Sequence, residues 1–419
     1  MNRVVIESAD TLHGQLQRGL GRGARRAADH KGAGDLVFDC IRRDPRWDRQ
    51  VEARGLYYAR LVVDLELPAA PIGEFLLEPS GGDEWRGRLA LEVLTELVRL
   101  SRREAAAALR TCAEEGELWF EAVDALIGLG DPALAEGLDE LVVSRCDEPD
   151  LDWLITDPDN PVLQQWARRR PQIAAALRRR REGTAGAGKA RPAWEEDGGD
   201  RTARSDSELL DLARRRDDDG AVAAIFELGR RRTPALLDLA EELLPQRHGR
   251  WEGALCRALR EYGSQALPRA RAWARAHTGC AEIALCILAQ HGTRQDIPIL
   301  MAELEAAVAR RSWGAAAGPV EGLGRLRAGE AVPLLKRIWT ESAYSYLRPR
   351  VLVALTRTAP HTAESYAVEA LWDCEDDTRR VAASAAPFTD ETRLRLHRLR
   401  SDPAEDRQVR AAAAERLML

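Results

Sequence analysis

Residues 225–244 read IFELGRRRTPALLDLAEELL. An apolar helix end runs into a short turn at Gly229. A second helix follows, entered near Pro234, with Leu236, Leu237, Leu239, Ala240, Leu243 and Leu244 at spacings of three and four. The same phrase returns at 258–276, 287–307, 322–339 and 354–372. The turn residues Gly229, Gly263, Gly292, Arg327 and Ala359 lie 34, 29, 35 and 32 residues apart. Pro234, Pro268, Pro298 and Pro333 follow four of them at similar offsets, near a first helical turn, where proline gives up no needed hydrogen bond. Helix, turn and helix at a period of 29–35 residues predict an α-solenoid.

Working outward, helical periodicity holds nearly throughout, as at 89–100 and 283–290, and no alternating strand pattern bounded by turn pairs interrupts it. The fold class expected is all-α. Residues 182–205 (EGTAGAGKARPAWEEDGGDRTARS) break the period, being rich in Gly, Ala, Arg and acidic residues. They read as a flexible linker between an N-terminal block, 1–181, and a C-terminal block, 206–419. Arginines at 168–170 and 178–181 precede that linker, where cations suit a helix C-terminus.

Three further stretches carry a family resemblance. Residues 124–134 (DALIGLGDPAL) resemble the turn between two HEAT repeats, with Gly130, Asp131 and Pro132 closing one helix and starting the next. Residues 377–383 (DTRRVAA) and 402–412 (DPAEDRQVRAA) resemble the start of a HEAT second helix. The chain is similar to the HEAT-repeat family over most of 85–150 and 206–419, and less so over its first 80 residues. The resemblance implies that an Asp caps each such turn and that an Arg bonds acidic groups of the neighbouring repeat. It specifies a fold far better than an activity.

The 419 residues are 45% apolar and 31% charged, enough to bury a core and too apolar for a disordered chain. A net charge of -6 argues against wrapping nucleic acid along the whole length. The charge is uneven: 51–150 carries a net of -13, and 244–350 a net of +7. Near the N-terminus Arg3, Glu7 and Asp10 leave no apolar signal region. The longest run without Asp, Glu, Lys or Arg is 283–293, 11 residues, too short to span a membrane. Seven scattered cysteines fit reduced thiols in a cytoplasm, the expected location.

Candidate chemistries are weak. Residues 183–190 (GTAGAGKA) approach a phosphate-binding loop, but Ala190 replaces the magnesium-holding hydroxyl and no strand precedes it. Residues 277–291 gather His277, Cys280, Cys286 and His291, yet the two cysteines differ by about 240° around a helix. Asp373, Glu375 and Asp377 begin like a calcium loop, but Thr378 and Ser384 stand where Gly and Glu are needed. The HEAT-like alkylpurine DNA glycosylases place tryptophans a few residues before an essential Asp, and Trp119 with Asp124 resembles that. The resemblance implies rings lining a damaged base and a carboxylate supporting a cationic sugar. Against it, Phe120, Val123 and Leu126 form a core stripe, and the surrounding acidic block repels phosphates.

No Ser/His/Asp or Cys/His set is drawn together, so no catalytic, cofactor or metal residue is assigned and no cofactor is expected. Trp47, Val51, Tyr58 and Val62 read as core. Trp85, Trp251 and Trp313, near helix starts, are candidate partner anchors, as are Glu114, Glu115 and Glu117 of the acidic block. The expected function is a non-catalytic protein-protein interaction scaffold or adaptor with a basic protein partner, and no membrane. The alternative is a nucleic-acid-binding HEAT-like protein, such as a glycosylase.

Overall fold

The computed structural model describes residues 5–83, 85–187, 204–215, 219–246, 249–276 and 278–418. The fold is all-α, and no strand occurs among the described residues. Two compact units form. One comprises residues 1–186, 340–352 and 361–419; the other comprises 187–339 and 353–360. This partition differs from the division at 182–205, because 340–352 and 361–419 join the N-terminal helices. The helix Pro171–Ala187 also runs into the expected linker, while 188–203 lie outside the described residues. Ser205 ends it as a helix N-cap, in a capping box with Glu208.

In the second unit the helices Asp219–Arg231, Gly249–Arg260, Ala281–His291 and Ala317–Arg325 pack each on the next. Small residues let them approach: a Cβ at Gly229 would lie 2.7 Å from that of Ala258, and one at Gly322 2.8 Å from Ala289 Cα. The three prolines Pro268, Pro298 and Pro333 each stand second in a helix. Several helices close on a left-handed residue with the paired bonds of a Schellman motif. At Arg327, φ is +53°, its N–H donates to Gly324 O, and Ala328 N–H reaches back to Leu323 O. Arg232 and Arg311 do the same. Between neighbouring helix pairs, Arg271 grips Asp296 at 2.6 and 2.9 Å, and Tyr262 donates to Thr233 O at 2.7 Å.

The first unit has an apolar core running from Leu12 to Leu177 and taking in Cys374. Its later segments are joined to its early ones by buried charge. Gly19, at φ +67°, accepts Cys374 N–H on its carbonyl at 3.0 Å; any Cβ there would meet the Cys374 sulfur at 2.4 Å. Arg348 makes two bonds to Asp373, 2.8 and 2.9 Å, and donates to Cys374 Sγ at 3.0 Å. Arg54 donates to Glu52 at 2.6 Å, to Ala343 O at 2.7 Å and to Gln17 O. Arg54 and Arg348 are both 0% exposed.

Ser345 lies between two carboxylates, its Oγ 2.7 Å from Glu52 and 3.0 Å from Glu375. A hydroxyl has one proton to donate, so one carboxyl must supply its own. Burial pushes Glu375 up to about 7, whereas Arg54 and Ser345 overcome burial and hold Glu52 below the usual carboxylate range. Glu375 is therefore the more readily protonated of the two. Tyr58 and Val62 are fully buried, but Trp47 and Val51 are 39% and 50% exposed. The helix begins only at Gly55, so the helical spacing that placed all four in the core does not exist before it.

Candidate functional site: an aromatic and acidic cleft

A cleft of about 830 Å³ opens within the first unit. Gly55 starts one wall, since without a side chain it admits Glu92 of the helix Arg88–Arg99; a Cβ would lie 2.9 Å from that of Glu92. Arg46 enters from the preceding turn, bonding Asp44 at 2.8 and 2.7 Å and Glu92 at 2.6 Å. The helix Trp119–Gly128 forms another wall. Ala122, Val123, Leu126 and Ile127 face the core, which turns Glu121 and Asp124 to the cleft. The helix Glu148–Leu154 is fixed by an Asp147/Asp150 capping box and by buried Leu151 and Leu154. It leaves Trp153 62% exposed at the cleft.

Arg379, Glu405 and Asp406 line the far side. Arg379 holds Glu405 at 2.9 and 2.7 Å, and Arg60 holds the same carboxylate at 2.9 Å. Burial opposes the charge, but these two arginines outweigh it and hold Glu405 at about 2. The Arg379–Glu405 bond joins the helix Asp376–Ala385 to the turn that precedes Arg407–Met418.

The cleft's five arginines face seven carboxylates. Every one of those arginines has a carboxylate partner: Arg46 has Asp44 and Glu92, Arg49 has Asp44, Arg88 has Glu121, Arg99 has Glu96 and Arg379 has Glu405. Asp124 is different. No hydrogen bond or ion pair reaches it from any described residue, and burial, with the nearby Glu121 charge, pushes its carboxyl up.

The rings are also unequal. The Arg88 guanidinium lies 5.3 Å over Trp85, Arg145 lies 5.1 Å over Trp119, and Arg25 and Arg395 each lie 5.1 Å from Trp372. Trp153 carries no such cation among the described residues and touches only Phe120 as a ring partner, at 5.3 Å.

Of the anchors expected from sequence, Trp85 lines the cleft. Trp251 and Trp313 are 5% and 2% exposed, Trp313 as the N-cap of the tight turn Gly314–Ala316, so neither presents a ring to solvent. Glu114 and Glu115 are exposed, with Glu114 paired to Arg110 at 3.0 Å. Glu117 instead accepts Ser80 N–H at 3.0 Å, a bond that lowers its pKa. Trp119 packs edge-on to Phe120 and does not line the cleft, so it is not brought together with Asp124 there.

Arg170, Arg179 and Arg181 of the basic run are bonded to Asp139, Asp152 and Asp159 at 2.6, 2.7 and 2.8 Å. Cys280, the N-cap of the helix Ala281–His291, is buried and Cys286 on it half-buried, while His277 lies outside the described residues. Asp373 is spent on Arg348. Sequence reasoning missed Trp153; its sign was an aromatic at the polar position of a short capped helix. No family model matches the chain, and no curated protein or solved structure is similar to it. Among the described residues no helix is long and apolar enough to cross a membrane.

Proposed function

We propose that the chain is a non-catalytic protein-protein interaction scaffold, a cytoplasmic α-solenoid of HEAT-like helix pairs, whose cleft seats a basic segment of a protein partner. The repeated phrase at 225–372 and the Arg271–Asp296 and Arg379–Glu405 bonds between successive pairs support the HEAT-like reading. One observation carries the functional one: in a cleft where every arginine is already paired with a carboxylate, Asp124 has no partner among the described residues and Trp153 lines the same cleft exposed. A surplus carboxylate next to an exposed ring favours a cation with an apolar stem. Complementary charge would then guide the encounter and set its register.

The test is selection of displayed random peptides on the full chain, with Ala125→Arg as the control that fills the cleft with bulk and positive charge. Enriched peptides should be basic and should bind Ala125→Arg at least about tenfold more weakly. Enrichment of nothing, or of peptides indifferent to Ala125→Arg, would refute the scaffold reading of this cleft.

A further inference from the structure

The cleft already holds one complete arrangement of ring, guanidinium and carboxylate, and half of another. In the complete one, Arg88 lies over Trp85 at 5.3 Å and donates to Glu121 at 2.9 Å. In the other, Trp153 packs on Phe120 at 5.3 Å, and Phe120 stands one turn before Asp124 on the same helix face. Through Phe120 the Trp153 ring and the Asp124 carboxylate come to line one cleft, and no arginine or lysine among the described residues is seen to bridge them. Elsewhere in this unit Trp85, Trp119 and Trp372 are each covered by an arginine of the chain, and no such cation lies over the exposed Trp153 among the described residues.

We infer that Trp153 and Asp124 form the seat for an arginine side chain supplied by a protein partner, the guanidinium stacking on the indole and donating to the carboxylate. This rests on the scaffold reading above and narrows it from a basic segment to one residue type. Arginine fits better than lysine for two physical reasons. Its planar, weakly hydrated guanidinium stacks on a ring while its edge N–H groups remain free for a carboxylate. The compact ammonium of lysine keeps its water and meets either the ring or the acid. Asp124 gains a charge-assisted bond it otherwise lacks, in a partly desolvated place where such a bond is strong.

The test compares two labelled probes on the full chain at physiological salt: Gly-Arg-Gly repeated three times, and the same peptide with Lys for Arg. The arginine probe should bind about tenfold more tightly than the lysine probe. Trp153→Leu should abolish that preference, and Trp153→Phe should restore part of it. Asp124→Asn should weaken both probes several-fold. Trp153 is 62% exposed, so its variants keep the fold, which circular dichroism checks. Equal affinity for the two probes, no binding of the arginine probe up to about 1 mM, or an arginine preference that survives Trp153→Leu would each overturn the inference. Peptides from the selection then tell the two failures apart. If they still bind and are lost in Ala125→Arg, only the arginine seat is wrong; if they do not, the scaffold reading falls with it.

Discussion

In the first unit several arginines that join its segments are shut away from water, Arg54 and Arg348 at 0% exposure and Arg379 at 3%, while Arg60, which reaches Asp402, is partly exposed. In the second unit, close approach rests on glycine against alanine, Gly229 on Ala258 and Gly324 on Ala354, and its arginines stay near the surface. A buried ion pair costs several kcal/mol per ion to desolvate and recovers it only when every partner is in place. Small-residue packing has no such condition, but it punishes any added atom. So the first unit should be sensitive to deletion of charge, and the second to addition of volume.

The sharpest way to break that contrast is Arg348→Met, which strands Asp373 uncompensated. It should cost the first unit about 3–5 kcal/mol in urea unfolding, and Arg348→Met with Asp373→Leu should recover most of the loss. A single variant as mild as a surface change would remove the basis of the comparison.

Next in size is a pH effect. Glu375 titrates at about 7 in the fold against an ordinary 4.5, so the folded state holds an extra proton between those values. The groups around it are Arg348, which favours ionisation, and Asp373, Asp376 and Glu52, which oppose it. The contribution is full below pH 4.5, is lost as pH rises through 7, and is flat above. Its size is about 3 kcal/mol. Glu375→Gln should flatten the slope of first-unit stability from pH 5 to 8, and a slope unchanged in Glu375→Gln would place the titrating group elsewhere.

In the second unit Gly324→Val should cost about 1–3 kcal/mol, because its Cβ would fall 2.7 Å from Ala354, and the first unit's transition should not move. Arg327→Gly should do the reverse. The backbone is left-handed there at φ +53°, and relief of that cost should stabilise the second unit by about 0.5–1 kcal/mol in the same assay. Smallest of all, Glu114→Lys with Glu115→Lys should alter stability by no more than about 0.5 kcal/mol. It should still slow association of a selected basic peptide several-fold at low salt and hardly at all near 1 M.

Helical character and much of the phrasing in 225–372 were legible in the sequence, because apolar spacing and proline placement are local signals. The capping boxes at Ser205 and Asp147 are equally local. Two helix ends were harder to read, since Arg232 and Arg311 occupy the left-handed position where glycine is the usual marker, whereas Arg327, in the same conformation, was legible as a turn from the repeat spacing. Gly229, taken for a turn residue, proved to be a contact point inside the helix Asp219–Arg231. The grouping of 361–419 with the N-terminal helices left no local trace: Arg60 finds Asp402 and Glu405 more than 340 residues away, and pattern reading sees only a neighbourhood. The cleft suffers the same limit, because Asp124, Trp153 and Glu405 line one cleft without sharing a motif.

The link from Arg54 to Ala343 spans 289 residues of chain. During synthesis at about 5–20 residues per second, Arg54 and Glu52 must therefore wait roughly 15–60 s for the residues that satisfy them. Through that interval the early helices carry solvated ions at positions destined to be dry, which keeps them soluble and delays closure. The second unit's helices, whose contacts such as Gly229 on Ala258 and Gly324 on Ala354 lie about 30 residues apart, can condense while the ribosome is still working. The first unit is thus the earliest begun and the last completed.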